Sequence, residues 1–148
     1  MTVLVARDVL CAILLCLLGA VAIIDYRRLM IPDLLTVAIA CLSLPYIYLS
    51  GRNLAACLAA ALLAGSIGWS LRWYFRQRLA VTGLGRGDIK LMAALGLWVG
   101  LDRLSVFFIA SGVAGLVTAA LWRYLGRGRF FPFGPALSAG ASLTLFTS

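Results

Sequence analysis

Gly83-Leu84-Gly85-Arg86-Gly87-Asp88-Ile89-Lys90, running into Leu91-Met92-Ala93-Ala94-Leu95-Gly96-Leu97-Trp98-Val99-Gly100, is the stretch on which the reading of this chain turns. A glycine-rich approach delivers one carboxylate, Asp88, to the first turn of an otherwise apolar helix. Two roles are open to it. Asp at a helix start accepts hydrogen bonds from first-turn amides that have no intrahelical partner. The glycines would equally let a second backbone or a bound peptide approach a carboxylate that does chemistry. The stretch alone leaves both open, and the rest of the chain has to weigh them.

Composition sets the surroundings. The 148 residues are 64% hydrophobic and 12% charged, with a mean hydropathy of +1.05. A soluble domain carries about twice that charged fraction, so the chain reads as an integral membrane protein. It is short enough for one domain over residues 1–148. The net charge of +8 comes from 13 basic residues against five Asp. In a chain this apolar, the charge bias is explained by the positive-inside rule and by anionic lipid, not by nucleic acid. There is no His, which removes the commonest metal ligand and the commonest neutral-pH base. Cys11, Cys16, Cys41 and Cys57 sit in apolar runs without a C-x-x-C spacing and read as small buried hydrophobes. No metal or cofactor site is expected.

Working outward from Asp88, apolar segments divide the chain into about six transmembrane helices. The first covers Val9 to Ile24, extended by Val3–Ala6. Ala20-Val21-Ala22 imitates a signal-peptide cleavage site, but similar segments recur along the whole chain, so this one is expected to be a retained span. The second runs from about Leu34 to Leu49, entered through Pro32, which suits a first helical position, and Asp33, which suits the positive helix end. The third spans Leu54 to about Leu71 and is rich in Ala and Gly, as close helix packing in lipid requires. Arg72 to Arg86 reads as the longest polar connection. The helix after Asp88 has about a dozen apolar residues, short for a span, so it is expected either to start below the lipid surface or to lie partly shielded by protein. A fifth span covers Leu104 to Leu125, and a short last one Pro135 to Phe146.

Basic residues are shared unequally between the two ends of these helices. The connections after spans one, three and five hold Arg27, Arg28, Arg72, Arg76, Arg78, Arg86, Lys90, Arg123, Arg127 and Arg129. The other side holds only Arg7, Arg52 and Arg103. Both termini are therefore expected outside, and Asp25 and Asp88 together at the cytoplasmic face.

Acidic groups at membrane depth are functional suspects by default. Asp8 and Asp102 stand beside Arg7 and Arg103 and read as solvated ion pairs of little energetic worth. Asp33 is most simply a helix-start residue. That leaves Asp25 and Asp88. Asp25 ends a helix, where a carboxylate opposes the dipole and needs a partner, such as Arg27 or Arg28, or a purpose. Were Asp25 and Asp88 to meet, repulsion would allow only one to ionise near neutral pH. The ionised group would draw a proton from water while the protonated one polarises a carbonyl. Such a dyad titrates as a unit, so neither Asp can be called the acid or the base.

These residues carry a resemblance. Gly85-Arg86-Gly87-Asp88 fits a GxGD motif, and with Lys90, Ala93-Ala94-Leu95-Gly96 and Gly100 it resembles the core of the type IV prepilin peptidases, membrane aspartic proteases of the bacterial inner membrane. That family's other catalytic Asp closes a membrane helix shortly before an Ile-Pro pair, here Asp25 before Ile31-Pro32. Its Pro-Phe-Gly-Pro element matches Pro132-Phe133-Gly134-Pro135. Three elements in order, at membrane boundaries and spanning about 20 to 140, make the resemblance specific. It implies an aspartic endopeptidase with Asp25 and Asp88 as catalytic pair. Gly85, Gly87, Lys90, Ile31, Pro32, Pro132, Gly134 and Pro135 would support them. The implied substrate is a type IV prepilin or a type II secretion pseudopilin, cut at the cytoplasmic face after a Gly that precedes its apolar helix.

Two departures stand out. Asp33 occupies a position where the family often has Asn, leaving a third acidic group near the site. Longer members insert a cytoplasmic Cys-rich domain between their first two spans and also N-methylate the product; only a few residues join those spans here, so peptidase activity is implied and methylation is not. Other readings of the same residues are a non-catalytic pilus or secretion assembly subunit and a small proton or ion transporter using the two Asp. A presenilin-like protease, for which Pro135-Ala136-Leu137 would be the counterpart motif, ranks below these on size.

Overall fold

The computed structural model describes residues 2–78, 84–126 and 131–147. It contains α1 (Thr2–Arg28), α2 (Asp33–Leu49), α3 (Leu54–Arg78), α4 (Arg86–Val99), α5 (Leu104–Tyr124) and α6 (Gly134–Phe146), with a 3-10 turn at Leu101–Arg103 ahead of α5. No strand occurs among the described residues. Gly83, Arg127 and Arg129, which entered the reading of the motif and of the charge distribution, lie outside them.

Three helical stretches, Thr2–Arg28, Leu54–Arg78 and Leu101–Tyr124, are long and apolar enough to cross a membrane. Only 22% of each apolar window is buried inside the bundle. Their outward faces carry side chains such as Leu62, Ile109, Leu116 and Val117, all largely exposed. A continuous apolar surface of this kind is stable against lipid and not against water. The third segment runs farther than its apolar residues suggested: Arg72 to Arg78 is helix, not connection. Near lipid the backbone still needs its internal hydrogen bonds, and Arg and Gln are good helix formers.

The remaining helices are shorter, with 17, 14 and 13 residues in α2, α4 and α6. At 1.5 Å per residue α4 covers roughly 20 Å, less than the ~30 Å hydrocarbon layer. Of the two arrangements expected for this helix, shielding by protein is the one found. It packs against α2, α3 and α6, and Leu91, Leu95, Trp98 and Val99 are fully buried. The Trp98 indole Nε1 donates to the Ile39 carbonyl at 2.8 Å. Arg52 Nη1 donates to the Trp98 carbonyl at 2.7 Å, and the Tyr46 ring lies 4.7 Å from that of Trp98. The C-terminal end of α4 is thereby fixed to α2 and to the turn before α3. Its N-terminal end, bearing Asp88, points the opposite way.

Close approach of α3 and α4 depends on Gly96. A Cβ there would lie 2.8 Å from the Ala61 Cα and 2.9 Å from the Ala60 carbonyl oxygen. Backbone cannot yield as a side chain can, so Gly96→Leu is expected to destabilise the bundle by about 3 kcal/mol. Reversible unfolding in mixed detergent micelles measures this; a loss under 1 kcal/mol would mean that the two helices do not pack this closely.

Two ion pairs anticipated from sequence neighbours do not form. Among the described residues the one ion pair is Lys90 with Asp33, at 2.7 Å. Adjacent residues on a helix point away from each other, so Arg7 does not bridge Asp8. Arg103 turns from Asp102 towards the Thr144 carbonyl at the end of α6, 3.5 Å away.

Candidate active site

Asp25 and Asp88 are the two buried carboxylates, 4% and 9% exposed. They line one cavity of about 220 Å³ together with Leu29, Met30, Ile31, Gly85, Arg86 and Gly87. The two positions separated by 63 residues in sequence thus share a single chamber, formed between the end of α1, the connection to α2 and the start of α4.

Asp25 sits in the last turn of α1, at the unfavourable end of that dipole. Its compensation comes from another helix. The Gly134 N–H, at the start of α6, donates to Asp25 Oδ2 at 2.7 Å, so the carboxylate faces the positive end of α6. Neither Arg27 nor Arg28 bridges it. Gly134 is the residue type this contact demands, because a Cβ there would fall 2.7 Å from Asp25 Oδ2 and 3.0 Å from its Cβ.

Asp88 occupies the third position of α4, after the N-cap Gly85. The Gly85 N–H donates to Asp88 Oδ2 at 2.9 Å. The cap expected from sequence is therefore present, and it coexists with a place in the cavity. Gly85 has no side chain with which to return a bond, so the carboxylate supplies the whole of this cap. Burial pushes the Asp88 carboxyl from 3.8 up to about 6. The charge of Asp25 adds to the rise, whereas the Gly85 N–H and the Arg72 guanidinium oppose it. A raised carboxylate is more comfortable protonated, so its contribution to stability is complete below 3.8 and is lost as pH rises through about 6.

The glycines and prolines set the walls. A Cβ on Gly87 would lie 3.0 Å from the Ile31 Cβ, so this glycine lets α4 start directly against the Ile31-Pro32 corner. Pro32 is the N-cap of α2, not its first helical residue. Pro132 is fully buried, and the Phe133 ring seats against α5 where Gly115 leaves room. Pro135 falls in the first turn of α6, where its missing N–H costs nothing. Together they fix the Gly134 N–H over Asp25.

Lys90 and Asp33 stand outside the cavity. Lys90 Nζ donates to both Asp33 oxygens, at 2.8 and 2.7 Å, and both side chains are more than half exposed. Asp33 is therefore no third acid of the chamber. The pair ties the start of α2 to α4, which suits a supporting role for Lys90. Sequence reading missed Leu29, Met30 and Arg86 as lining residues. Leu29 adopts φ +52, a left-handed conformation that turns the chain out of α1 and costs a non-glycine residue about 1 kcal/mol. Strain of this kind gathers at functional sites, but nothing in the residue type announces it.

Fold and site together define a polytopic helical membrane protein whose two buried carboxylates line one chamber. The chain belongs to the type IV leader peptidase family, whose family model matches residues 12–120. It is 36% identical over 141 residues to a Prepilin leader peptidase/N-methyltransferase of Xanthomonas campestris pv. campestris, covering 90% of this chain and 48% of that protein. Proteins of the same name from Burkholderia pseudomallei and Neisseria gonorrhoeae are each 35% identical, over 93% and 92% of this chain and 44% and 47% of theirs. The chain spans about half the length of the curated relatives it matches. No solved structure matches it.

Proposed function

We propose that this chain is an aspartic endopeptidase that removes the leader peptide of a type IV prepilin or a type II secretion pseudopilin. Residues 1–148 act as one membrane-embedded catalytic domain in the bacterial inner membrane, with both termini outside and the paired acids near the cytoplasmic face. The observation that carries the reading is the shared chamber of Asp25 and Asp88, each held by a backbone N–H at a helix start.

The chemistry follows from that pairing. One carboxylate, ionised, takes a proton from a water molecule between them, and the oxygen adds to the scissile carbonyl carbon. The other, protonated, hydrogen-bonds the carbonyl oxygen and stabilises the charge that develops there. Collapse of the tetrahedral intermediate breaks the C–N bond, and the leaving amine takes up a proton from the pair. A chamber of about 220 Å³ holds a water molecule (roughly 30 Å³) beside one peptide group. Gly85, Gly87 and Gly134 keep side chains out of the path of an incoming backbone.

The test is to incubate the purified chain in liposomes with a prepilin and sequence the product's N-terminus. Cleavage directly before the apolar helix is expected; intact prepilin, bound or unbound, would reject the peptidase reading. Activity should also depend on pH as a bell, because the chemistry needs one proton shared by two acids. The alkaline limb is expected at or above about 6, since burial raises Asp88 to that value. A kcat/KM profile that is flat from pH 4 to 9 would exclude the shared proton.

A further inference from the structure

We propose that Arg72 is a positioning residue for Asp88: from α3 its guanidinium holds the Leu84–Gly85 peptide so that the Gly85 N–H points at the Asp88 carboxylate. The inference rests on the reading of Asp25 and Asp88 as the working pair. In sequence Arg72 is one of many basic residues that set topology. In the fold it is half-buried, whereas Arg76 and Arg78, farther along α3, are exposed. Its Nη1 donates to the Leu84 carbonyl, and Leu84 is itself buried, at 7% exposure. A carbonyl beside a buried side chain needs a donor, and Arg72 supplies it.

The Leu84 C=O and the Gly85 N–H belong to one planar trans peptide and point in opposite directions. Arg72 grips one side of that plane and Asp88 the other, at 2.9 Å. Fixing the carbonyl therefore fixes the direction of the N–H, and the two hydrogen bonds polarise each other. Gly85 is held extended, at φ −69 and ψ 156, with no side chain that could lock it otherwise. Released from Arg72, the peptide plane could rotate and take the N–H from the carboxylate.

Arg72 also brings a permanent positive charge to the site. Other charges near Asp88 are few. Asp25 faces it from α1, and Arg86 lines the chamber from α4. Asp33 of α2 and Lys90 of α4 neutralise one another, and α6 contains no titratable side chain. Arg72 is thus the cation from α3 that opposes Asp25 in setting how readily Asp88 ionises.

The experiment compares Arg72→Met, Arg72→Gln and the unaltered chain in liposomes. Two quantities are read: kcat and KM for prepilin cleavage against pH, and the infrared titration of the Asp88 carboxyl, assigned by its loss in Asp88→Asn. Arg72→Met is expected to lower kcat about tenfold with little change in KM. It should move both the alkaline limb and the Asp88 titration upward by on the order of half a pH unit. Arg72→Gln, which keeps a donor without the charge, should leave the Gly85 N–H on the carboxylate and so shift the titration less than Arg72→Met, and lose less kcat. It also stands in if Arg72→Met does not fold. An Asp88 titration unmoved in the folded variants, or moved equally by Arg72→Met and Arg72→Gln, would overturn the inference, because the charge alone acts on acidity without orienting the Gly85 N–H. The infrared readout needs no turnover, so lack of cleavage by the unaltered chain would count against the peptidase reading alone.

Discussion

Replacing either Asp25 or Asp88 by Asn is expected to reduce prepilin cleavage by at least about a thousandfold while the protein remains inserted and folded. The size follows from the chemistry. An aspartic pair is both general base and general acid, each worth about a hundred- to ten-thousandfold, and groups that act as a unit lose nearly everything when either is removed. Asn keeps the shape and can still accept the Gly134 or the Gly85 N–H, so the fold has no reason to fail. It cannot ionise, and the shared proton disappears. Quantitative immunoblotting of cleaved prepilin, with detergent-extracted yield as the control for folding, checks this. More than a tenth of full activity in either variant would mean that the remaining carboxylate works alone.

The next largest effect is expected at a residue that carries no reactive group. Gly134→Ala should lower kcat/KM about a hundredfold, mostly through kcat. Its new methyl would begin 2.7 Å from Asp25 Oδ2, inside van der Waals contact, and Asp25 is buried with little freedom to retreat. Either the carboxylate turns away or α6 backs off; both break the 2.7 Å bond from the Gly134 N–H. A displacement of about 1 Å in a catalytic group is enough for a hundredfold loss. Gly112→Ala is the matched control, because a Cβ there meets nothing within 4 Å and should change activity less than twofold. Equal effects of the two substitutions would show that helix content, not the contact with Asp25, governs activity.

Much of this arrangement could be read from the residues. Apolar runs separated by Arg, Gly and Pro marked the six helices, because lipid leaves a spanning backbone few alternatives. The end of α3 is not legible in the residues, since Trp73, Tyr74 and Arg76 fit a membrane interface equally well as helix or as loop. Asp25 and Asp88 stood out because a charge at membrane depth needs a reason. How each is held was not legible. The Gly134–Asp25 bond joins residues 109 apart, and no local pattern encodes a contact made across the bundle. Arg72 was hidden for a different reason. It is one of ten basic residues on its side, and only its hydrogen bond to the carbonyl of buried Leu84 singles it out. Asp33 opens α2, as its place after Pro32 indicates, and is no third acid of the site because it is paired with Lys90 at the surface.

Electrostatic coupling between the two carboxyls is the quantity on which the mechanism depends. Infrared titration of the Asp88 carboxyl in the unaltered chain and in Asp25→Asn measures it without any substrate. The charge of Asp25 raises Asp88, so removing that charge should move the Asp88 titration to lower pH. Identical titrations in the two proteins would mean that the acids do not sense one another, and no single water could serve them both.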